Sequence, residues 1–286
     1  MKEWHKKGQE LLDQIENTTL SEDEMAIWYL GQCGFLAKKG NHTILVDPVL
    51  TDLLDAQGQT KRLYPAPFDP ARLKVDTVLC THEHRDHMCV ETLQKLMEKN
   101  PDVSIIVPKG TAASLCAKGV PSRNVLGLNE KEIARTHGMR IQTVQTAHPV
   151  HVKNDMEQDL NLAYYVDLSG VNFLHLGDTY LTEKLLSDLK ELDGVDVLMS
   201  PINGQDFYRT ARGCIGNLSG LETAVLAKEL QASLTIPTHY DMMRGNTCSV
   251  LEFVESMASH YSQGKLALPA LGERILVKKE KVIEED

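Results

Sequence analysis

Apolar and polar positions change places along this chain in short blocks. Residues 3–16 set Trp4, Leu11, Leu12 and Ile15 among charged neighbours, which predicts a short amphipathic helix laid on the surface of the domain. Residues 25–37 are rich in β-formers and broken by Gly31 and Gly34; after the turn at Lys39-Gly40-Asn41, residues 43–46 form a strand that ends in Asp47-Pro48. Residues 51–72 hold Pro65, Pro67 and Pro70 with little periodicity and read as a loop. Then come a strand at 75–80, a helix at 89–99 stopped by Pro101, a strand at 104–107, a helix at 111–118 and a strand at 140–146 that leads to His148.

The second half repeats the theme. Residues 162–167 and 172–176 predict a hairpin around Ser169-Gly170 that leads to Gly177-Asp178, much as the first hairpin leads to Asp47. Residues 195–199 are a buried strand, and 219–231 a helix opened by the capping box of Ser219 and Glu222. Residues 234–237 are a strand leading to His239. Strands and helices thus alternate within each half, and strand ends carry an acid or a histidine. The expectation is a single α/β domain of two pseudo-symmetric halves, about 25–150 and 160–275, with their sheets packed face to face.

Bulk properties narrow the function classes. The 286 residues, 42% hydrophobic and 24% charged, suit a globular protein with a large core. The formal net charge of −10 disfavours phosphate backbones, so nucleic acid is not an expected partner, although a small anion remains compatible. Six scattered cysteines without a CxxC pair read as free thiols in a reducing compartment. No apolar run approaches a membrane span, and the first residues lack the apolar core of a secretion signal. A cytoplasmic location is expected. The amphipathic N-terminal stretch could also serve as an interface of a homo-oligomer.

The most informative stretch is Thr81-His82-Glu83-His84-Arg85-Asp86-His87, of the form HxHxDH. A buried strand delivers the chain to its own end, and in extended backbone residues two apart point the same way. His82 and His84 can therefore grip one cation. As the chain turns into the next helix, Asp86 and His87 can face a second. Imidazole nitrogen and carboxylate oxygen at this density suit borderline divalent metals. The bland reading, a solvated polar loop, leaves such crowding without a purpose.

HxHxDH resembles the motif of the metallo-β-lactamase superfamily, in which a further histidine, a bridging aspartate and a final histidine follow. This chain has Thr146-Ala147-His148, Leu176-Gly177-Asp178-Thr179 and Pro237-Thr238-His239-Tyr240, each at the end of an apolar run. Trp28-Tyr29-Leu30-Gly31 and residues 76–87, 161–164, 175–180 and 236–241 are similar to the L-ascorbate-6-phosphate lactonase group within it. The chain departs from that group between Asp47 and Pro65 and over residues 149–158. The resemblance implies a four-layer αββα sandwich and two divalent metal ions, manganese or zinc. It implies that His82, His84 and His148 hold one ion, that Asp86, His87 and His239 hold the other, and that Asp178 bridges them. A hydroxide shared by the pair would attack a carbonyl or phosphoryl centre, with Asp86 also moving a proton.

Other residues carry two readings each. His151 could replace His148. His175 is either a satisfied core histidine or a group that orients a ligand. Asp47 could accept an imidazole N–H from a ligand or merely end a strand. Arg209 and Arg212, in the Gly- and Arg-bearing loop 203–216, could hold a phosphate or carboxylate or be ordinary solvated arginines. Tyr240 and Asp241 could reach a substrate. Cys33 and Cys80 read as apolar fillers. His42 and His137 lie in turns and read as solvent-facing, and His5 and His260 carry no signal. The leading expectation is a hydrolase of a small anionic cyclic ester such as a phosphorylated sugar lactone. The alternatives are a phosphodiesterase or nuclease on the same centre, and a non-catalytic metal-binding sensor.

Overall fold

The structure is a computed structural model that describes residues 3–278. Helix α1 (Gly8–Asn17) precedes β1 (Glu24–Gly31), β2 (Gly34–Lys39) and β3 (His42–Val46). Then follow β4 (Thr77–Leu79), α2 (Val90–Lys99), β5 (Ser104–Pro108), α3 (Lys109–Ala117) and β6 (Val125–Leu128). Three antiparallel strands come next: β7 (Ile133–Thr136), β8 (Met139–Gln145) and β9 (Leu162–Leu168). The chain continues through β10 (Val171–His175), α4 (Glu183–Lys190), β11 (Val197–Pro201), the single turn α5 (Phe207–Thr210), α6 (Gly220–Glu229) and β12 (Leu234–Thr238). It ends with α7 (Leu251–His260), β13 (Lys265–Leu266) and β14 (Arg274–Lys278).

The strands form two seven-stranded sheets, ordered β14-β1-β2-β3-β4-β5-β6 and β7-β8-β9-β10-β11-β12-β13. In each, the first three pairings are antiparallel and the last three parallel. The two sheets are therefore the same design built twice. The match does not follow chain position throughout. β7 and β8, numbered within the first half, hydrogen-bond into the second sheet, and the late strand β14 pairs with β1.

Period-two burial explains the layers. Met25, Ile27 and Tyr29 of β1, with Phe35, Ile44 and Val46, join the core shared with the second sheet. Their neighbours Ala26, Trp28, Leu30, Leu36 and Leu45 face the other way and pack with α1 and α2 residues Leu11, Leu12, Ile15, Leu93 and Leu96. Both faces of the first sheet are covered, which is why its strands read as nearly continuous apolar runs. The second sheet carries α4, α6 and α7 through Leu185, Leu189, Ala224, Leu226, Phe253 and Met257. Helices, sheet, sheet and helices make the expected αββα sandwich.

Helix α1 begins later than the expected 3–16. Its apolar stripe is covered by this chain's own sheet, so that stripe is not a face left for a second copy. The capping box expected at α6 is formed: Ser219 Oγ accepts from Glu222 N at 3.2 Å, and Glu222 accepts from Ser219 N at 2.8 Å. Among the described residues no helix is long and apolar enough to cross a membrane.

Candidate metal centre

The parallel strands β3, β4 and β12 and the hairpin strand β10 all deliver chemistry-bearing residues just past their C-terminal ends. Asp47 follows β3, and the segment 81–88 follows β4. Asp178 lies past β10, and His239 follows β12 directly. His148 comes three residues after β8, which runs antiparallel to β9. Two groups of donors result. One donor atom each from His82, His84, His148 and Asp178 lies within 4.8 Å of the others, and the same holds for Asp86, His87 and His239.

Asp47 organises the segment. Its Oδ1 accepts from Thr81 N at 2.8 Å, and its Oδ2 accepts from Thr81 Oγ1 at 2.8 Å and from His87 Nδ1 at 2.7 Å. Because Thr81 Oγ1 gives its proton to Asp47, it accepts from His82 Nδ1 at 3.1 Å. The Nε2 lone pair of His82 is thereby directed to His84 Nδ1, 2.9 Å away. Asp47 and His87 are fully buried, so these bonds act without competing water. Asp47 itself adopts a positive φ of 44°, a conformation aspartate tolerates better than most residues.

Asp178 sits between the two groups. It approaches His87 Nε2 at 3.2 Å, His239 Nε2 at 3.1 Å and His148 Nε2 at 3.6 Å. His175 supports the turn before it: its Nδ1 accepts from Gly177 N at 3.1 Å, so its Nε2 donates to the Cys33 carbonyl at 2.8 Å. His175 is thus a satisfied core histidine that holds the Asp178 turn. Gly177 has φ +62°, and a Cβ there would lie 2.6 Å from Thr81. Of the two alternatives, His148 lies within the first donor group. His151 lies outside both donor groups and makes a 2.9 Å hydrogen bond with Thr182 Oγ1.

The electrostatics divide the histidines. Burial, with His87 nearby, pushes His82 well below the usual imidazole value, and burial takes His148 down to about 4. Burial also opposes charge on His87 and His239, but Asp178 and the other carboxylates outweigh it. His87 rises well above its usual value, and His239 is pushed up to about 9. Desolvation alone would raise both the half-buried Asp86 and the buried Asp178, yet the neighbouring His87 and His239 hold both carboxyls low.

These residues fit a pair of divalent cations. His87 Nε2 and Asp178 Oδ1 are buried, lie 3.2 Å apart and have no further partner, so the pair is satisfied either by a proton between them or by a cation that binds both. The donors are imidazole nitrogens and carboxylate oxygens, which manganese, zinc and iron all accept. Cys33 also comes within 4.8 Å of His87 and Asp178, but burial pushes its thiol well up and keeps it neutral.

A family model described as "Beta-lactamase superfamily domain" matches residues 26–239, which span every donor named above. The chain belongs to the metallo-β-lactamase superfamily. A UPF0173 metal-dependent hydrolase of Archaeoglobus fulgidus is 28% identical over 230 residues, covering 76% of this chain and 84% of its own length. An Escherichia coli protein named "Probable L-ascorbate-6-phosphate lactonase UlaG" is 23% identical over 275 residues, covering 84% of this chain and 75% of its own. The fold is similar to that of Igni18, a metallo hydrolase of Ignicoccus hospitalis, with a TM-score of 0.67 and 18% identity, covering 90% of this chain and all of that one.

Around the superfamily centre the remaining expectations separate. Arg209 is engaged within its own loop: it pairs with Asp206, donates to the Asn203 carbonyl at 2.5 Å and donates to Asn246 Oδ1 at 3.0 Å. Its guanidinium braces the loop rather than facing outward. Arg212 is exposed and donates only its Nε, to the Tyr208 carbonyl at 3.1 Å. Tyr240 is buried and stacked on Tyr29, with ring centroids 6.2 Å apart. It also lines a cavity of about 720 Å³ together with Asp241 and Arg244.

Gln32 was not legible as a site residue. It is fully buried, its backbone oxygen accepts from His239 N at 2.9 Å, and its Nε2 lies 2.9 Å from both Asp86 Oδ2 and His239 Nε2. The only trace in the sequence is a polar residue between the glycines of Gly31-Gln32-Cys33-Gly34, where a strand must turn. Arg244 was missed as well, being an isolated cation in a loop.

Proposed function

We propose that this superfamily member is a hydrolase that uses two divalent metal ions, manganese or zinc, on a small anionic cyclic ester such as a phosphorylated sugar lactone. One observation carries the reading: seven donor side chains from four separate places in the sequence converge, and several of their buried polar atoms have no protein partner. His82, His84 and His148 would hold one ion and Asp86, His87 and His239 the other, with Asp178 between them. When bound, such a pair acidifies a water and polarises the electrophilic oxygen.

The chain's own residues do the rest. Asp47 and Thr81 fix the imidazole tautomers, so the nitrogens that face inward carry lone pairs. Asp86 has a side chain 19% exposed where Asp178 has 4%, so it is the carboxylate that can pass a proton to the outside. The cavity lined by Tyr240 and Asp241, which follow His239 in the chain, is adequate for a sugar-sized ligand, and the exposed Arg244 on its wall suits a phosphate or carboxylate. Arg212, on the neighbouring loop, is a second cation available to an anion. The lactone preference follows the similarity to the E. coli protein and the net acidic charge, which disfavours nucleic acid as substrate.

The test has two stages. Metal content is measured on protein purified without added ions, and the expected value approaches two per chain. A panel of sugar-phosphate lactones, phosphodiesters and thioesters is then assayed before and after chelation. Lactone hydrolysis lost on chelation and restored by manganese or zinc supports the proposal. Faster turnover of phosphodiesters would replace the substrate class, and protein that binds no metal would end the reading altogether.

A further inference from the structure

A second cluster of metal-competent side chains lies at the opposite end of the sandwich. His42 opens β3, Asp76 immediately precedes β4, and His137 occupies the turn between β7 and β8. One donor atom from each lies within 4.8 Å of the other two, and the two imidazole rings are 5.6 Å apart at a 39° tilt. The sequence reading placed both histidines in turns facing solvent. That is correct of each alone, but the fold brings them together.

We propose that His42, Asp76 and His137 form a separate binding site for one zinc-class divalent ion, which clips the two sheets together at their far rim. His42 and Asp76 belong to the first sheet, whereas His137 belongs to a hairpin of the second. An ion held by all three would cross-link the halves where no covalent bond does. The site is distinct from the candidate catalytic centre. β3 runs from His42 to Val46, just before Asp47, and five residue steps of extended backbone separate His42 from Asp47 by roughly 16 Å.

Three features support the assignment. Asp76 is oriented in advance: its Oδ2 accepts from Thr43 N at 2.8 Å and from Thr43 Oγ1 at 3.2 Å, which leaves Oδ1 for a further partner. Two imidazoles and a carboxylate select first-row transition ions over magnesium or calcium, which require mostly oxygen. Tetrahedral zinc needs its donors about 3.3 Å apart, a closure within reach of small rotations of two exposed imidazoles. Finally, His137 stands at φ +47° before Gly138 at φ +76°, in a two-residue hairpin turn where Asn-Gly is the favoured pair. The turn itself has no need of an imidazole.

That preference supplies a clean variant. His137→Asn removes the donor while keeping a residue suited to the turn, so folding should be preserved or improved. Protein is saturated with zinc, desalted and analysed for total metal, and its melting temperature is recorded with and without zinc. The wild type should hold one more zinc per chain than His137→Asn or His42→Ala. Zinc should raise its melting temperature by a few degrees beyond the rise in either variant. Magnesium should not substitute. Equal zinc content in wild type and both variants, or an equal melting shift, overturns the proposal. Neither variant touches the residues assigned to the catalytic centre, so failure here and failure of the proposed function are read separately.

Discussion

Two chemistry-bearing segments meet at the metal-centre end of this protein, and they are built in opposite ways. Residues 81–88 are locked from behind: Asp47 receives three hydrogen bonds, two from Thr81 and one from His87, and Asp47 and His87 are both fully buried. Residues 203–217 are fastened at their ends and open in the middle. Gly216 N donates to Tyr180 Oη at 3.1 Å and Leu218 N donates to the Thr179 carbonyl at 2.9 Å, tying the loop to the turn that carries Asp178. At the other end Gly204 N donates to the Leu218 carbonyl at 2.9 Å, and between Gly204 and Gly216 the residues Phe207 and Tyr208 are 78% and 74% exposed. The difference teaches where each kind of work resides. Donors for a cation must be rigid to a fraction of an ångström, so they sit on a buried frame. Substrate selection, which the proposed function assigns to this loop, tolerates an exposed segment.

If that division is right, damage should be graded by distance from the frame. The largest effect is expected for His84→Ala and Asp178→Ala, which remove donors outright. Each should lose at least one metal per chain by elemental analysis and cut hydrolysis by about a thousandfold or more. Retention of both metal and activity would dissolve the comparison. Next comes Asp47→Ala, which leaves every donor present but frees His87 and Thr81. Metal affinity should fall on the order of 10- to 100-fold, measured by competition with a chelator, while the same number of ions still binds at saturation.

Gly177→Ala probes the frame without changing a polar group. Its positive φ and the 2.6 Å approach of the new Cβ to Thr81 should lower stability by roughly 2 kcal/mol, read from denaturant unfolding of the metal-loaded protein. A neutral outcome would mean that the Asp178 turn is less constrained than its geometry implies. The smallest effect belongs to the loop. Arg212→Ala should leave stability within about 0.5 kcal/mol and metal content unchanged, raising KM several-fold for an anionic substrate with kcat nearly constant. A large loss of kcat in that variant would move the loop into the frame.

The pattern of what was legible follows the same line. HxHxDH could be recognised because its four donors lie within six residues, where strand and turn geometry alone fix their directions. The lone residues His148, Asp178 and His239 were legible only as ends of apolar runs. His151 remained a rival to His148 because both sit near the same strand end; the structure separates them by directing His151 to Thr182. Arg209 looked available in a loop rich in glycine, yet Asp206, Asn203 and Asn246 occupy its guanidinium. Gln32 was invisible because its role depends on residues 54 and 207 positions away. The repeat between halves was visible, but the exchange of edge strands was not, since β14 joins β1 across most of the chain.

By itself the sequence determined the layered class of fold, the histidine- and aspartate-rich HxHxDH segment that enters the candidate metal centre, and the capped helix α6, because each is written in local spacing: period-two burial, a strand-to-turn motif and a four-residue cap. Tertiary structure decided which distant groups share a volume. It placed Gln32 against Asp86 and His239, and it set His42 and Asp76 beside His137. It also enclosed α1's apolar stripe against the chain's own sheet. Contacts of that kind arise from how two sheets stack and where their turns meet, which are properties of the whole packed chain and have no counterpart in the spacing of neighbouring residues.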